Sequence, residues 1–372
     1  MSDVHFMRLA LRLAQRGYGR TSPNPMVGAV LVKSGKIIGR GWHRRAGGPH
    51  AEIDAIADAQ KRRHNPCGAT LFVTLEPCCT HGLTPPCTDA IIAAGIRRVV
   101  VAATDPNPKH AGRGFKILQN SGVHRARGLM AEEAERLNES FNHWIVEGTP
   151  FVTVKSAMTI DGKIATAAGE SKWITGEKAR ARGRKLRQGA DAILVGVNTI
   201  VMDNPRLTLR TPRLPAEGRN PARPLRRIVL DPQGRTPLTA KIMRNTGSGL
   251  TTIVVTKSAP RSRVSRLAKK AVVIQAPERS GRIDLRWLLK KLGAENITSL
   301  LVEGGGETHA LFLAERLVQR LVFFYAPKIL GGRDAPKSVG GDGVGSTAAK
   351  IILRDVEWNR VGPDLLLTAR LV

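Results

Sequence analysis

The fold of the N-terminal half is decided by His50-Ala51-Glu52 and by Thr74-Leu75-Glu76-Pro77-Cys78-Cys79, with Cys87 further on. The histidine triplet opens a helical pattern, and an apolar strand pattern separates it from the cysteines. One imidazole and two thiolates suit a tetrahedral zinc whose fourth position is left for water. The order His-x-Glu, strand, Pro-Cys therefore predicts a zinc deaminase site in an α/β domain.

The predicted zinc ligands are His50, Cys78 and Cys87, and the predicted catalytic residue is Glu52. We place both cysteines at the start of helical segments, where the positive end of the helix dipole favours thiolates. Zinc lowers the pKa of a bound water from about 15.7 toward about 7. Glu52 is close enough to His50 to take that water's proton and pass it to the ring nitrogen and the departing amine.

Two alternatives concern the metal site. A closed structural zinc site needs a fourth protein ligand, and Cys79 and His81 are candidates. Cys79 could also replace Cys78 as the ligand, although Pro77 directly before Cys78 favours the latter. The eight residues between Cys78 and Cys87 differ from the two that the common deaminase signature has.

Composition limits the remaining possibilities. A chain of 372 residues exceeds the size of most single cores, which predicts two domains. All four cysteines and eight of nine histidines precede residue 150, so we expect metal chemistry only in the first half. The apolar runs are too short to span a bilayer, and residues 1–16 lack a signal-peptide pattern, which predicts a cytoplasmic protein without membrane contact.

The net charge of +29 is concentrated in the second half, where 39 Lys and Arg face 18 Asp and Glu. The first half has 20 against 12. Such a surplus attracts polyanions and phosphorylated small molecules alike. The arginine-rich runs lack interleaved aromatic residues on which bases could stack, so we expect no specific nucleic-acid partner.

Apolar periodicity predicts alternating helices and strands. Helices are predicted at residues 4–15, 51–60, 88–94, 114–120, 131–146, 177–188, 285–292 and 308–317. Strands are predicted at 26–32, 69–75, 98–103, 151–156, 192–195, 227–230, 252–255, 271–274, 299–302 and 321–326, and a long loop at 210–224. The alternation indicates α/β folds with helices on both sheet faces. Glu147-Gly148-Thr149-Pro150 interrupts it, so we predict domains at 1–147 and 151–372.

The cysteine segment resembles the deaminase domain of the bifunctional riboflavin-biosynthesis deaminase/reductases. The resemblance rests on five strings. They are Thr74-Leu75-Glu76-Pro77-Cys78-Cys79, Thr84-Pro85-Pro86-Cys87, Thr21-Ser22-Pro23-Asn24-Pro25, Val27-Gly28 and Asp105-Pro106-Asn107-Pro108. One departure is Leu83, where the family commonly has arginine. The resemblance implies a cytidine-deaminase-like, three-layer α/β/α domain with Asn24 and Glu76 in the pyrimidine pocket.

Val302-Glu303-Gly304-Gly305-Gly306 ends a predicted strand and precedes a helix. An open α/β sheet binds dinucleotide phosphates at such a place, because glycines let the backbone approach and the helix N-terminus favours negative charge. The triple glycine is not the Rossmann fingerprint, and it also suits a tight turn.

Further strings resemble the reductase domain of the same family, whose fold is like that of dihydrofolate reductase. They are Lys155-Ser156-Ala157, Asp161-Gly162-Lys163, Gly169-Glu170-Ser171, Trp173-Ile174-Thr175-Gly176, Gly196-Val197-Asn198-Thr199, Asp203-Asn204-Pro205, residues 207–210 and Ala326-Pro327-Lys328. The resemblance implies contacts to NADPH from Ala157, Trp173, Thr199, Asp203, Gly304, Gly305 and Gly306. It implies substrate contacts from Ser171, Arg187, Leu207, Arg210 and Glu303, of which Arg187 and Arg210 can hold a ribose phosphate.

The resemblance covers nearly the whole chain and implies two reactions that depend on Zn²⁺ and NADPH. The first deaminates 2,5-diamino-6-ribosylamino-4(3H)-pyrimidinone 5′-phosphate. The second reduces the ribosyl group of 5-amino-6-(5-phosphoribosylamino)uracil to ribitylamino. We therefore expect phosphorylated pyrimidines as partners, and a homo-oligomer is compatible with the sequence.

Two other functions fit parts of the sequence. A tRNA-editing zinc deaminase with a basic accessory domain shares the zinc motif and suits the positive charge, but it normally ends soon after its first domain. A zinc module with a nucleic-acid-binding tail leaves Glu52 and the glycine-rich strand end without a role.

Overall fold

The computed structural model describes residues 2–81, 85–209, 224–244 and 251–371. The chain divides into two compact units, Met1–Gly148 and Thr149–Val372. Three residues named above, Leu83, Thr84 and Arg210, lie outside the described residues, as does nearly all of the loop predicted at 210–224.

Unit 1 contains six helices and five strands among its described residues. The helices are α1 (Asp3–Ala14), α2 (Ala51–Lys61), α3 (Cys87–Ala93), α4 (Arg113–Asn120), α5 (Ala131–Leu137) and α6 (Glu139–Glu147). The strands are β1 (Gly28–Lys33), β2 (Lys36–Trp42), β3 (Thr70–Leu75), β4 (Arg98–Ala103) and β5 (His124–Arg127). They form one sheet in the order β2-β1-β3-β4-β5, with β1 antiparallel to β2 and β3 and the last three strands parallel.

The strand side chains of unit 1 alternate between two cores, one on each sheet face. On one face Leu71 and Val73 pack with apolar residues of α2, α3 and α4. On the other face Phe72 packs with α1 and α5. The predicted three-layer α/β/α arrangement is thereby confirmed.

Helix α2 lies unusually close to β2 because that strand carries glycines where the helix crosses it. A Cβ atom on Gly41 would stand 2.2 Å from the Ala51 carbonyl oxygen. The backbone N–H of Trp42 also donates to Asp54 of α2, at 3.2 Å. This close approach fixes the first turn of α2, which carries the His50-Ala51-Glu52 segment.

Three features of unit 1 differ from the sequence prediction, and one of them is β5, a strand with no buried residue that was not predicted. The helix predicted at 131–146 is broken at Asn138, whose side chain accepts from the Met26 backbone N–H at 2.7 Å and donates to the Met26 carbonyl at 2.9 Å. Strand β2 was not predicted, because Gly39 and Gly41 lower its strand propensity. The break at Asn138 results from a contact with a segment 112 residues away, whereas β2 forms a hairpin with its neighbour β1.

Unit 2 is built around a nine-stranded sheet with helices on both faces. The strands are β6 (Phe151–Thr159), β7 (Ala192–Gly196), β8 (Arg226–Leu230), β9 (Thr251–Val255), β10 (Val272–Gln275), β13 (Ser299–Val302), β14 (Arg320–Ala326), β15 (Leu353–Val361) and β16 (Asp364–Leu371), with β11 (Glu278–Arg279) and β12 (Arg282–Ile283) as a separate hairpin. The helices are α7 (Glu177–Gly189), α8 (Val197–Asp203), α9 (Arg261–Ala268), α10 (Leu285–Ala294) and α11 (Gly306–Ala314).

The large sheet has the order β10-β9-β8-β7-β13-β6-β14-β16-β15. Its strands are parallel except β16, which runs antiparallel to β14 and β15. One face packs on α10 and α11, and the other packs on α7, α8 and α9. Binding sites in such sheets lie at the carboxyl ends of the parallel strands. Within the described part of the chain, no helix has the length and apolarity needed to cross a membrane.

Candidate active sites

Three side chains of unit 1 form a group that could hold a metal ion: His50, Cys78 and Cys87. His50 directly precedes α2, Cys78 follows β3 in an irregular segment, and Cys87 is the first residue of α3. The Nδ1 atom of His50 lies 3.2 Å from the Cys87 sulfur and 3.4 Å from the Cys78 sulfur. All three ligand atoms lie within 4.8 Å of one another.

These separations fit a tetrahedral zinc. Zn–N and Zn–S bonds of about 2.1 and 2.3 Å place neighbouring ligand atoms about 3.6 Å apart. A hydrogen bond from the Cys87 thiol also lowers the pKa of the Cys78 thiol to about 4, against the opposing effect of burial. The pair therefore holds negative charge where a divalent cation would bind.

The structure corrects one sequence prediction about the ligands. Cys78 does not begin a helix, because residues 76–80 are irregular and α3 starts only at Cys87. Cys78 is supported by the backbone N–H of Cys87, which points to its sulfur at 3.4 Å. The local charge assistance expected from a helix dipole comes instead from the thiol and the backbone N–H of Cys87 and from His50.

The two alternatives for the metal site receive no geometric support. The sulfur of Cys79 lies 3.9 Å from Nδ1 of His110 and is not part of the ligand group. His81 is exposed and also lies outside that group. Among the described residues the group thus has three members, which leaves one tetrahedral position for a water molecule.

Glu52 lies beside the three ligands in the first turn of α2, and 3% of its surface is exposed. Burial raises its pKa to about 7, and the negative charge of Cys78 adds to the increase. A carboxyl group with such a pKa can both accept and donate a proton near neutral pH.

Asn24 is held next to the ligands through His43. The Nδ2 atom of Asn24 lies 3.1 Å from Nε2 of His43, and Nδ1 of His43 lies 2.9 Å from the Pro49 carbonyl. A carbonyl only accepts, so Nδ1 of His43 carries the proton and Nε2 accepts from the Asn24 amide. The His43 ring also meets the His50 ring edge-on, with 5.4 Å between centroids. His43 was not predicted as a site residue, because a single histidine has no spacing signal.

Glu76 is placed differently from the expectation. Its two carboxylate oxygens accept hydrogen bonds from the backbone N–H groups of Asp105, Gly112, Gly114 and Phe115, at 3.0–3.4 Å. Four such bonds use the usual acceptor capacity of a carboxylate. Glu76 therefore anchors the segment at residues 105–115, and this geometry gives no support for a direct contact with the pyrimidine.

In unit 2 a cavity of about 570 Å³ gathers most of the residues predicted for the second reaction. We call it the reductase pocket. Eight predicted residues line it: Ala157, Ser171, Trp173, Arg187, Thr199, Asp203, Leu207 and Glu303. Six further cations line it and were not predicted: Lys155, Lys172, Arg180, Arg184, Arg206 and Lys241. The pocket is therefore suited to an anionic ligand.

The best-defined interaction in the reductase pocket joins Arg187 and Glu303. The guanidinium donates through Nε at 2.9 Å and through Nη2 at 2.6 Å, one bond to each carboxylate oxygen. The ammonium of Lys155 lies 3.9 Å from the same carboxylate. Burial alone would raise the pKa of Glu303, but Lys155 and Arg187 outweigh it and hold the pKa at about 2.

This pairing limits the number of hydrogen bonds that Arg187 can donate to a phosphate. The edge of its guanidinium formed by Nε and Nη2 is already occupied by Glu303, so only the remaining N–H groups can face a ligand. Glu303 is in turn fixed as a carboxylate, which accepts hydrogen bonds and does not donate them.

Trp173 and Asp203 line the reductase pocket in different ways. Trp173 is 61% exposed, and the Arg180 guanidinium lies 4.5 Å from its ring centroid, so it is not a core residue. Asp203 ends α8 and accepts from the Ser171 hydroxyl at 2.7 Å.

The glycines after Glu303 do not line the reductase pocket. Gly305 and Gly306 lie at the N-terminus of α11, at the carboxyl end of β13. A Cβ on Gly196, at the carboxyl end of β7, would come within 2.7 Å of the Thr308 hydroxyl of α11. The N-termini of α8 and α11 thus lie side by side.

Comparisons with known proteins match both units. The family model for the RibD C-terminal domain matches residues 150–367, and the model for the cytidine and deoxycytidylate deaminase zinc-binding region matches residues 1–103. The riboflavin biosynthesis protein RibD of Actinobacillus pleuropneumoniae is 43% identical over 368 residues, which are 99% of this chain and 95% of that protein. RibD of Escherichia coli K12 is 41% identical and covers 99% of both chains. This chain belongs to the RibD family.

Solved RibD structures agree with this assignment over the full length. The Acinetobacter baumannii RibD structure (form 1) has a TM-score of 0.87 and 34% identity, covering 100% of this chain and 99% of its own. The Thermotoga maritima deaminase/reductase has a TM-score of 0.84 and 35% identity, covering 99% and 98%.

As a RibD, the protein is a bifunctional enzyme of riboflavin biosynthesis, a zinc-dependent deaminase and an NADPH-dependent reductase. The tRNA-editing alternative is not favoured, because the second half matches a reductase family from residue 150 to 367.

Proposed function

We propose that residues 1–147 form the deaminase domain, in which His50, Cys78 and Cys87 hold the zinc, and that residues 151–372 form the reductase domain. The substrates are those in the name of the Thermotoga relative, a diaminohydroxyphosphoribosylaminopyrimidine and then 5-amino-6-(5-phosphoribosylamino)uracil. The cluster of three ligand atoms with a buried carboxyl beside it carries the proposal. The free cysteines and the thiolate ligands fit a reducing, cytoplasmic location.

In the deaminase, zinc supplies an acidified water, whose pKa falls from about 15.7 toward about 7. Glu52 would carry one proton of that water to the ring nitrogen and the second proton, from the hydroxyl group added to the ring, to the departing amine, which leaves as ammonia. Burial favours this role, because a carboxyl group with a pKa near neutrality exchanges protons in both directions. Asn24, whose amide donates to His43, would bind the pyrimidine edge.

In the reductase, NADPH supplies the hydride for the ribosyl carbon. Ala157, Trp173, Thr199 and Asp203 would contact the cofactor from the walls of the reductase pocket, with Gly304, Gly305 and Gly306 at the adjacent helix N-terminus. Ser171, Leu207, Arg187, Glu303 and, outside the described residues, Arg210 would bind the substrate. The carboxylate of Glu303, which Arg187 keeps ionised, accepts hydrogen bonds from ribosyl hydroxyls.

The deaminase assignment is tested by replacing Glu52 with Gln. The amide has the same shape but cannot carry a proton, so we expect stoichiometric zinc and deamination slower by about 10²–10⁴-fold. Metal analysis and single-turnover deamination measure the two effects. Asp58→Asn is the matched control, because Asp58 lies on the same helix outside the ligand group and the new amide keeps an oxygen that accepts from the Arg40 backbone N–H. Wild-type turnover in Glu52→Gln would remove Glu52 from the mechanism.

A further inference from the structure

The cations that line the reductase pocket differ in their exposure to water. Four of them are partly buried: Lys155, Arg180, Arg184 and Arg187. The other three are exposed: Lys172, Arg206 and Lys241. Water hydrates and screens an exposed charge, whereas burial removes part of the hydration of a guanidinium. A partly buried cation is therefore stabilised by hydrogen-bond acceptors or an anion close to it.

Three of the four partly buried cations find such partners within the protein. Arg187 and Lys155 share the carboxylate of Glu303. Arg180 donates to a backbone carbonyl at 2.7 Å and lies 4.5 Å from the centroid of a tryptophan ring. Arg184 has no hydrogen bond or ion pair with any residue in the described ranges. Its partner is therefore to be sought in a ligand of the reductase pocket.

Helix α7 directs Arg184 to the same wall of the pocket as Arg187. The residues of α7 that carry this wall include Arg180, Gly183, Arg184 and Arg187, whose spacing of three, four and seven places them on one helix face. Side chains three residues apart on a helix are neighbours, with about 5–6 Å between their Cβ atoms. Gly183 adds no side chain beside Arg184, and a Cβ there would still be 3.7 Å from Lys155. A ligand can thus approach Arg184 without obstruction.

A phosphate is the ligand group that suits Arg184 best. A phosphate accepts several charge-assisted hydrogen bonds, and the planar guanidinium can donate two of them in parallel. Arg187 uses its Nε and Nη2 edge for Glu303, so it can offer only its remaining N–H groups. All five N–H groups of Arg184 are available.

The position of α7 favours the phosphate of the substrate over those of the cofactor. Helix α7 packs on the sheet face formed by β14 and β16, through Ala179. Helix α11, whose N-terminus carries the glycines proposed for the cofactor, packs on the opposite face. Arg184 thus belongs to the wall that contains Arg187, which is bonded to Glu303, and these two residues are proposed to bind the substrate.

We propose that Arg184 binds the 5′-phosphate of 5-amino-6-(5-phosphoribosylamino)uracil and thereby determines the preference of the reductase for a phosphorylated substrate. The proposal rests on the reductase function proposed above. In this arrangement Arg187 keeps Glu303 ionised beside the ribosyl hydroxyls. Arg184, one helical turn away, holds the phosphate at the end of the same ribosyl group.

Steady-state NADPH oxidation by the zinc-loaded full-length protein tests the proposal with two substrates, the phosphorylated uracil and the same compound without its phosphate. We expect Arg184→Ala to lower kcat/KM about tenfold to hundredfold for the phosphorylated compound, through a higher KM, and less than twofold for the other. Arg184→Lys should lie between Arg184→Ala and the wild type, because it keeps the charge but loses the paired geometry. Arg182→Ala is the matched control, since it removes the same charge from the exposed face of α7 outside the pocket.

The outcomes separate the role of Arg184 from the reductase function. If Arg184→Ala keeps the wild-type preference for the phosphorylated compound, or loses activity equally with both, Arg184 does not bind the phosphate and the proposal fails, while the reductase function stands. An equal selective loss in Arg182→Ala would assign the effect to overall charge and would also overturn the proposal. A wild type that reduces neither compound would contradict the reductase function itself.

Discussion

Replacing Gly41 with Ala tests whether the close packing of α2 on β2 positions the zinc ligands. The new Cβ would stand 2.2 Å from the Ala51 carbonyl oxygen, whereas ordinary contacts begin near 3.4 Å. The helix and strand must therefore separate by about 1 Å, at a cost of about 1–3 kcal/mol. The strand cannot yield alone, because Arg40 and Trp42 donate backbone hydrogen bonds to Asp58 and Asp54 of α2.

A shift of this size is large compared with the demands of a metal. Ligand distances must lie within about 0.2 Å of their ideal values, and His50 directly precedes Ala51. We expect Gly41→Ala to bind zinc at least tenfold more weakly in a chelator competition and to lose deamination in proportion, with reduction of the deaminated pyrimidine unchanged. Gly35→Ala is the control. Its added Cβ meets nothing within 4 Å, so only the strained φ of +73° costs stability. Unchanged zinc affinity in Gly41→Ala would refute this account of how the site is positioned.

Three further predictions follow from the same structure. Cys78→Ser should purify without zinc, and Cys79→Ser should purify with it. If metal analysis showed the reverse, Cys79 and not Cys78 would be the zinc ligand. Glu303, with a pKa of about 2 in the folded state against an ordinary 4.5, should contribute about 3 kcal/mol of stability above pH 4.5 that is lost as the pH falls toward 2. Denaturant unfolding of unit 2 should therefore show that the free energy of unfolding falls less between pH 6 and pH 3 in Glu303→Gln than in the wild type. Equal decreases in the two proteins would contradict this role of Glu303. Separated chains 1–148 and 149–372 should each unfold cooperatively, one retaining deamination and the other reduction; aggregation of both would show that the units need each other.

The sequence predicted the parts of the site that depend on local order along the chain. His50, Cys78 and Cys87 could be found because the family spacing places them around one strand. The roles of Glu76 and His43 could not be found in this way. They depend on backbone N–H groups between residues 105 and 115 and on the Pro49 carbonyl, which only the folded chain brings close.

Elements of unit 2 that bury few side chains were not predicted from the sequence. Helix α9 has few apolar residues, and only Leu267 of it is buried, so it gives almost no periodic signal. Strand β15 has no buried residue and therefore no alternation of burial. In contrast, β7 and β9, which are buried on both faces, were predicted within one residue of their observed bounds.

One chain carries two sites that act in sequence, and NADPH oxidation measures their coupling most directly. Wild-type protein should oxidise NADPH when given either the diaminopyrimidine or the deaminated uracil substrate. Glu52→Gln should oxidise NADPH with the deaminated substrate at the wild-type rate and with the diaminopyrimidine only at the residual rate of deamination, about 10²–10⁴-fold lower. Undiminished oxidation by Glu52→Gln with the diaminopyrimidine, or no oxidation by the wild type with either substrate, would contradict the account.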